Sequence, residues 1–186
     1  MRLHLVRHGA PLIDQDREPA SWDLDPAGHD DIDRLLASGV LPDDARWISS
    51  TEPKALQTAE RLTSTPVLQV EQLGEQRRPN TWVKDFAIHI HRALVTEDMP
   101  VAEGWEPARE TRSRITDAVA RLEADADGQD LVLVGHSTPW LLLVSELTGA
   151  PVDLAAWERL LMPDHCILER GVLVQGWGAW REDAAS

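Results

Sequence analysis

Cysteine, tyrosine and phenylalanine are nearly missing from this chain, whose 186 residues hold one Cys, one Phe and no Tyr. A single thiol, Cys166, cannot close an internal disulfide, so stability has to come from burial and the expected compartment is the cytoplasm. Long apolar runs are missing too. The longest, about Trp140 to Val144, is far below the roughly 20 residues that span a bilayer, and no basic start with a short apolar core precedes a cleavage site at the N-terminus. No membrane partner is expected. Positive charge is also scarce: 18 Lys and Arg face 32 Asp and Glu, a formal net charge of -14. Binding to a polyphosphate depends on cations that displace counterions, so nucleic acid is not an expected partner. The same field slows a small anionic substrate unless a local group of cations reverses it at the mouth of the site.

What is present is ordinary globular material, 42% hydrophobic and 27% charged, long enough to bury one core. One domain over residues 1–186 is the expectation. Leu3 to Val6 form a short apolar run that stops at Arg7-His8-Gly9, which predicts a buried strand ending in a polar turn. Asp25 and Pro26 suit a helix start, with Ile32, Leu35 and Leu36 at helical spacing before Gly39. Arg46 to Ser50 predicts a second strand, Glu52 to Leu62 a helix and Val67 to Val70 a third strand. From about Leu73 to Glu106 the pattern breaks at Pro79, Asn80, Pro100 and Gly104, around a possible short helix from Phe86 to Leu94. This stretch, 73–106, is read as an insertion on the substrate side. Arg109 to Ala126 predicts a long helix, Leu131 to Val134 a central parallel strand ending at Gly135-His136, and Trp140 to Leu147 a further helix. Two short strands, roughly Cys166 to Glu169 and Val172 to Val174, complete the order. The alternation implies an α/β fold of three layers, α/β/α, with a mostly parallel central sheet.

In such a sheet, ligands bind beyond the carboxyl ends of the strands, near the point where strand order reverses. That rule gathers Arg7, His8 and Gly9 from the first strand, Ser49, Ser50 and Lys54 from the second, and His136 with Ser137 from the central one. A neutral imidazole is a competent nucleophile, and Arg offers a fork of donors matched to phosphate oxygens. The set suits phosphoryl transfer better than metal binding.

These residues also resemble a known family. Val6-Arg7-His8-Gly9 looks like the Arg-His-Gly signature of the histidine phosphatase (phosphoglycerate-mutase-like) superfamily, Ser50 through Lys54-Ala55-Leu56-Gln57-Thr58-Ala59 resembles its second motif, and Val134-Gly135-His136 its second histidine. The helix start at Leu24 to Gly28 is similar as well. The resemblance implies that His8 attacks phosphorus and carries the phosphoryl group, while Arg7, Gly9, Lys54 and His136 bind phosphate. It implies a carboxylic acid for the leaving oxygen, assigned to Glu75 as in the mutase-like branch because Ser137 follows the second histidine. Two departures stand out. Lys54 replaces the usual Arg and loses its bidentate fork, and Ala10 stands where a polar side chain is common. Arg77 and Arg78 are candidate compensating cations.

The expected function is a phosphomonoester hydrolase with a phosphohistidine intermediate, acting on a small metabolite or phosphohistidine side chain, with no metal or other cofactor. The sequence leaves oligomeric state open. Trp82 and Trp105, inside the insertion, are candidate walls of an apolar substrate pocket. Three alternatives compete. One is a phosphoglycerate-type mutase, although the insertion holds few cations to clamp a doubly anionic sugar acid. Another is a non-catalytic binder of a phosphorylated ligand, suggested by Lys54 and Ala10. The third is a serine esterase, because Gly135-His136-Ser137-Thr138-Pro139 nearly matches a nucleophile elbow, with His165 and Asp153 or Asp164 following.

Overall fold

The computed structural model describes residues 1–79 and 83–183. Six strands form one mixed sheet: β1 (Arg2–Arg7), β2 (Arg46–Ser49), β3 (Val67–Gln69), β4 (Leu131–Gly135), β5 (Asp164–Glu169) and β6 (Val172–Gln175). Their spatial order is β3-β2-β4-β1-β5-β6. β4 lies between β1 and β2 and runs parallel to both, β3 is parallel to β2, and β5 and β6 form an antiparallel hairpin on the far side of β1. The carboxyl ends of β1, β2 and β4 therefore share one edge.

Helices cover both faces, and the alternation along each strand decides which. Leu3 and Leu5 of β1 and Leu131 and Leu133 of β4 join α4 (Ala108–Ala124) and α5 (Ser137–Thr148) through Ile115, Val119, Leu122, Trp140 and Leu143. Val6, Val132 and Val134 face the opposite way, onto α1 (His29–Ala37) and α2 (Pro53–Leu62), where Ile32, Leu35, Ala55, Ala59 and Leu62 meet them. All five residues of β4 are buried, which is why its sequence is continuously apolar rather than alternating.

The segment before α4 builds its own small core. There α3 (Phe86–Val95) packs Ile90, Ala93 and Leu94 against Val101, Trp105, Ala108 and Leu142 of α5. Trp105 belongs to that core rather than to a substrate wall, and Trp82 lies outside the described residues. Two short helices are additions to the sequence reading: α6 (Leu154–Arg159) and α7 (Trp180–Asp183). Trp180 of α7 is 1% exposed and completes the α1/α2 layer. No helix among the described residues is long and apolar enough to cross a membrane.

Candidate active site

Strand ends, not loops, fix the core of the site. The β1 ladder continues one residue past its end, where His8 N–H donates to Gly135 O at 2.9 Å, and Ser50 N–H likewise donates to Val134 O at 3.0 Å. Trp140 Nε1 donates to Val6 O at 2.9 Å, locking the end of β1 under α5. That approach requires Gly135, since a Cβ there would stand 2.6 Å from Trp140 Cζ2. At Gly9 the backbone packs closely too: a Cβ would lie 2.7 Å from Ile32 Cδ1 and 2.8 Å from Leu24 Cδ1, so the tips of those side chains would have to move.

The two histidines meet. The His8 and His136 rings lie edge to face with centroids 5.1 Å apart, and both are buried. His8 Nδ1 is 2.6 Å from Gly9 O. A carbonyl oxygen only accepts, so Nδ1 carries the proton and Nε2 keeps its lone pair. Burial, with repulsion from His136, Lys54 and Arg7, holds the His8 ring well below the usual 6.5. Burial and the cations Lys54, Arg114, Arg78 and Arg7 do the same to His136. Both rings are neutral at neutral pH.

Arg7, Lys54, Glu75 and Ser137 line the same cavity as the two histidines, a space of about 490 Å³. Arg7 is oriented by Nη1, which donates to Leu160 O and Leu161 O at 2.9 and 3.2 Å. The Lys54 ammonium is nearly buried, donating to Pro19 O at 2.9 Å and pairing with Glu52. Gly9 differs from the expectation. Its N–H donates to Thr58 Oγ1 at 3.0 Å and it does not line the cavity among the described residues, so it serves the site through its carbonyl on His8. Cations that offset the acidity of the whole chain are present: Arg77, Arg78 and Arg114 line the cavity with Arg7 and Lys54.

Glu75 lies on the loop after Leu73. Burial raises its carboxyl above the usual 4.5, Glu52 adds to the rise, and Arg78 opposes it. Arg114 staples this loop, donating to Gln72 O, Gly74 O and Glu75 O at 2.7–3.0 Å while pairing with Glu106. Glu106 in turn accepts from Arg77 N–H at 2.9 Å.

Glu52 is the residue that the sequence reading did not single out. Its Oε2 pairs with Lys54, while Oε1 lies 3.3 Å from His136 Nε2 and accepts Glu75 N–H at 2.8 Å. One carboxylate thus spans the second cation, the second histidine and the acid loop. On a helix, residues two apart do not face each other. Glu52 escapes that rule because it precedes α2 with an extended backbone, φ −72° and ψ 131°, which turns it inward. Ser50 Oγ also meets His136 Nε2, at 2.8 Å.

The serine-esterase arrangement is not assembled. His165 is stacked on His4 in the sheet, with His165 Nε2 3.1 Å from His4 Nδ1. Asp164 accepts from Leu161 N, His165 N, Gly178 N and Trp180 Nε1, and Asp153 caps α6. Among the described residues, Ser137 has none of His165, Asp164 and Asp153 as a hydrogen-bond partner.

With this geometry in hand, comparison with known proteins adds a family. Residues 3–171 match the model of the histidine phosphatase superfamily (branch 1). A search of the curated proteins finds no match. Among solved structures, YhfR of Bacillus stearothermophilus superposes with a TM-score of 0.75 at 21% identity, covering 95% of this chain and 93% of that one. An alpha-ribazole phosphatase from Shigella flexneri gives 0.70 at 19%, covering 95% and 96%. A mycobacterial glucosyl-3-phosphoglycerate phosphatase gives 0.68 at 18%, covering 89% and 88%. At these identities the likeness is one of fold.

Proposed function

Because this chain belongs to the histidine phosphatase superfamily, we propose that it is a phosphomonoester hydrolase in which His8 is the nucleophile and Glu75 the general acid. The observation that carries the reading is the tethered His8 ring, with Nδ1 on Gly9 O, lining a cavity together with His136, Arg7 and Lys54. In the first step His8 Nε2 attacks phosphorus, the ester P–O bond breaks, and Glu75 gives its proton to the departing alkoxide. In the second, water attacks phosphorus while Glu75 takes its proton, the P–N bond breaks with the electron pair returning to His8 Nε2, and inorganic phosphate leaves.

Charge on the transferring group is met by Arg7, by the third N–H of the Lys54 ammonium, by His136 and by the amino end of α5 beside Ser137. Preorganised donors of this kind give their largest return on a phosphoryl group, which asks for positioning more than for new covalent chemistry. The Glu52 carboxylate bridging Lys54 and His136 supports the view that one anion can engage both. We read the whole chain as one domain whose segment 73–106 carries specificity, and the substrate as a small phosphorylated molecule.

Turnover of a panel of phosphate monoesters by wild type and His8→Ala tests the reading. The expected result is release of phosphate that falls by about 1,000-fold or more in His8→Ala. Full activity in that variant overturns the nucleophile, and phosphate binding without turnover in the wild type favours a non-catalytic binder.

A further inference from the structure

The cavity is larger than a phosphate and its lining is of two kinds. His8, His136 and Lys54 line it as buried side chains and Arg7 as a half-buried one, whereas the apolar Ile13, Pro19, Val83, Phe86 and Met162 are half-buried or exposed, with Trp22 buried among them. Ile13 is 56% exposed and Met162 36%, so apolar side chains stand in water around the opening of a strongly acidic chain. Clustered exposed apolar groups beside a polar site mark a place where an apolar ligand is bound.

The Phe86 ring is already held in place. The Arg78 guanidinium lies 4.3 Å from its centroid, and the Trp105 ring centroid is 6.2 Å away. A fixed aromatic wall loses little entropy when a ligand packs on it.

The charged groups away from the phosphoryl site are mostly occupied with one another. Arg77 pairs with Glu71 at the surface and Arg114 is engaged by Glu106 and three carbonyls. Glu52, Glu71 and Glu75 line the cavity too, while Arg78, whose buried Nη1 has no hydrogen-bond partner among the described residues, lines it with its guanidinium over the Phe86 ring, so charge beyond the phosphoryl site is mixed. The volume, about 490 Å³, is in the range that encloses an organic ligand of ring size or larger.

We infer that the apolar part of the cavity is a leaving-group subsite, and that the substrate is the phosphate monoester of an apolar alcohol carrying a ring or similar bulk. This rests on the reading that the two histidines, Arg7 and Lys54 bind the phosphoryl group.

Phenethyl phosphate and ethyl phosphate are both primary alkyl esters, so their leaving groups differ little in basicity and the comparison isolates the apolar body. The subsite predicts a kcat/KM roughly tenfold or more higher for the phenethyl ester, the scale expected for burying part of a phenyl ring. That ratio collapses toward one in Ile13→Ser and in Phe86→Ala. Equal values for the two wild-type reactions, or a preference for glycerol phosphate, overturn the inference while leaving the phosphatase reading intact. A second arm needs no turnover: calorimetric binding of phenethylphosphonate and ethylphosphonate to His8→Ala. Tighter binding of the phenethyl compound supports the subsite even if no ester is hydrolysed. Equal or absent binding of both contradicts it.

Discussion

His8 and His136 stand edge to face, 5.1 Å between ring centroids, at the ends of two adjacent parallel strands. Neither ring can take a proton at neutral pH, because both are buried among positive groups. A pair of neutral imidazoles beside a half-buried carboxylic acid is an acid–base arrangement whose working pH can be reasoned out.

The pH profile follows from opposite shifts. His8 must be neutral to attack, and its pKa is held below 6.5, so activity persists below 6.5 and is lost only as pH falls through that lowered value. Glu75 must be protonated to donate, and its pKa is raised above 4.5, so activity is lost as pH rises through that raised value. A kcat/KM profile for an alkyl phosphate checks both limbs. An acid limb at or above 6.5 contradicts the assignment of His8.

Glu52 tunes that profile. Its charge helps to hold the Glu75 proton and also opposes an incoming phosphate on Lys54 and His136. In Glu52→Gln the alkaline limb moves to lower pH, and inorganic phosphate inhibits roughly 5- to 10-fold more tightly, about 1 kcal/mol. The measurements are the pH profile and the product-inhibition constant. An unmoved limb with unchanged phosphate inhibition shows that Glu52 has no part in the site.

A second histidine pair acts on stability rather than catalysis. His4 and His165 are buried in contact between β1 and β5, and burial lowers their pKa values to about 4 and about 3 from 6.5. Both are bases kept neutral in the folded chain, so unfolding takes up protons below 6.5. Stability is complete above that pH and falls as pH drops toward 4 and 3, by about 1.4 kcal/mol per pH unit for each ring. Urea midpoints measured at pH 7, 6, 5 and 4.5 should decline over that window, and His165→Phe should flatten the decline. A midpoint independent of pH between 6.5 and 4.5 excludes this coupling.

These residues also show what a sequence reveals. His8 and His136 were legible because each ends a run of apolar residues whose alternation is suppressed by burial on both faces. The start of β5 was not, because Asp164 and His165 are polar yet buried, and the partners they find lie elsewhere in the chain. α6 and α7 are too short for a helical period to register. Glu52 and Arg114 fall within predicted helices, and only the folded chain brings them to the acid loop through contacts with residues about 23 to 42 positions away. The substrate walls were sought in Trp82 and Trp105, whereas Trp22 and Phe86 line the cavity. Burial of Trp105 in the α3 core depends on packing that no local pattern encodes.

Covalent chemistry at His8 Nε2 leaves a trace that rapid acid-free quenching of a reaction with a labelled monoester, followed by mass spectrometry of the digested protein, can catch. The account predicts an acid-labile phosphoryl group on the peptide bearing His8, absent from His8→Ala and longer-lived in Glu75→Gln. Modification of Ser137 or another side chain, or undiminished turnover with no phosphohistidine at any time point, contradicts it.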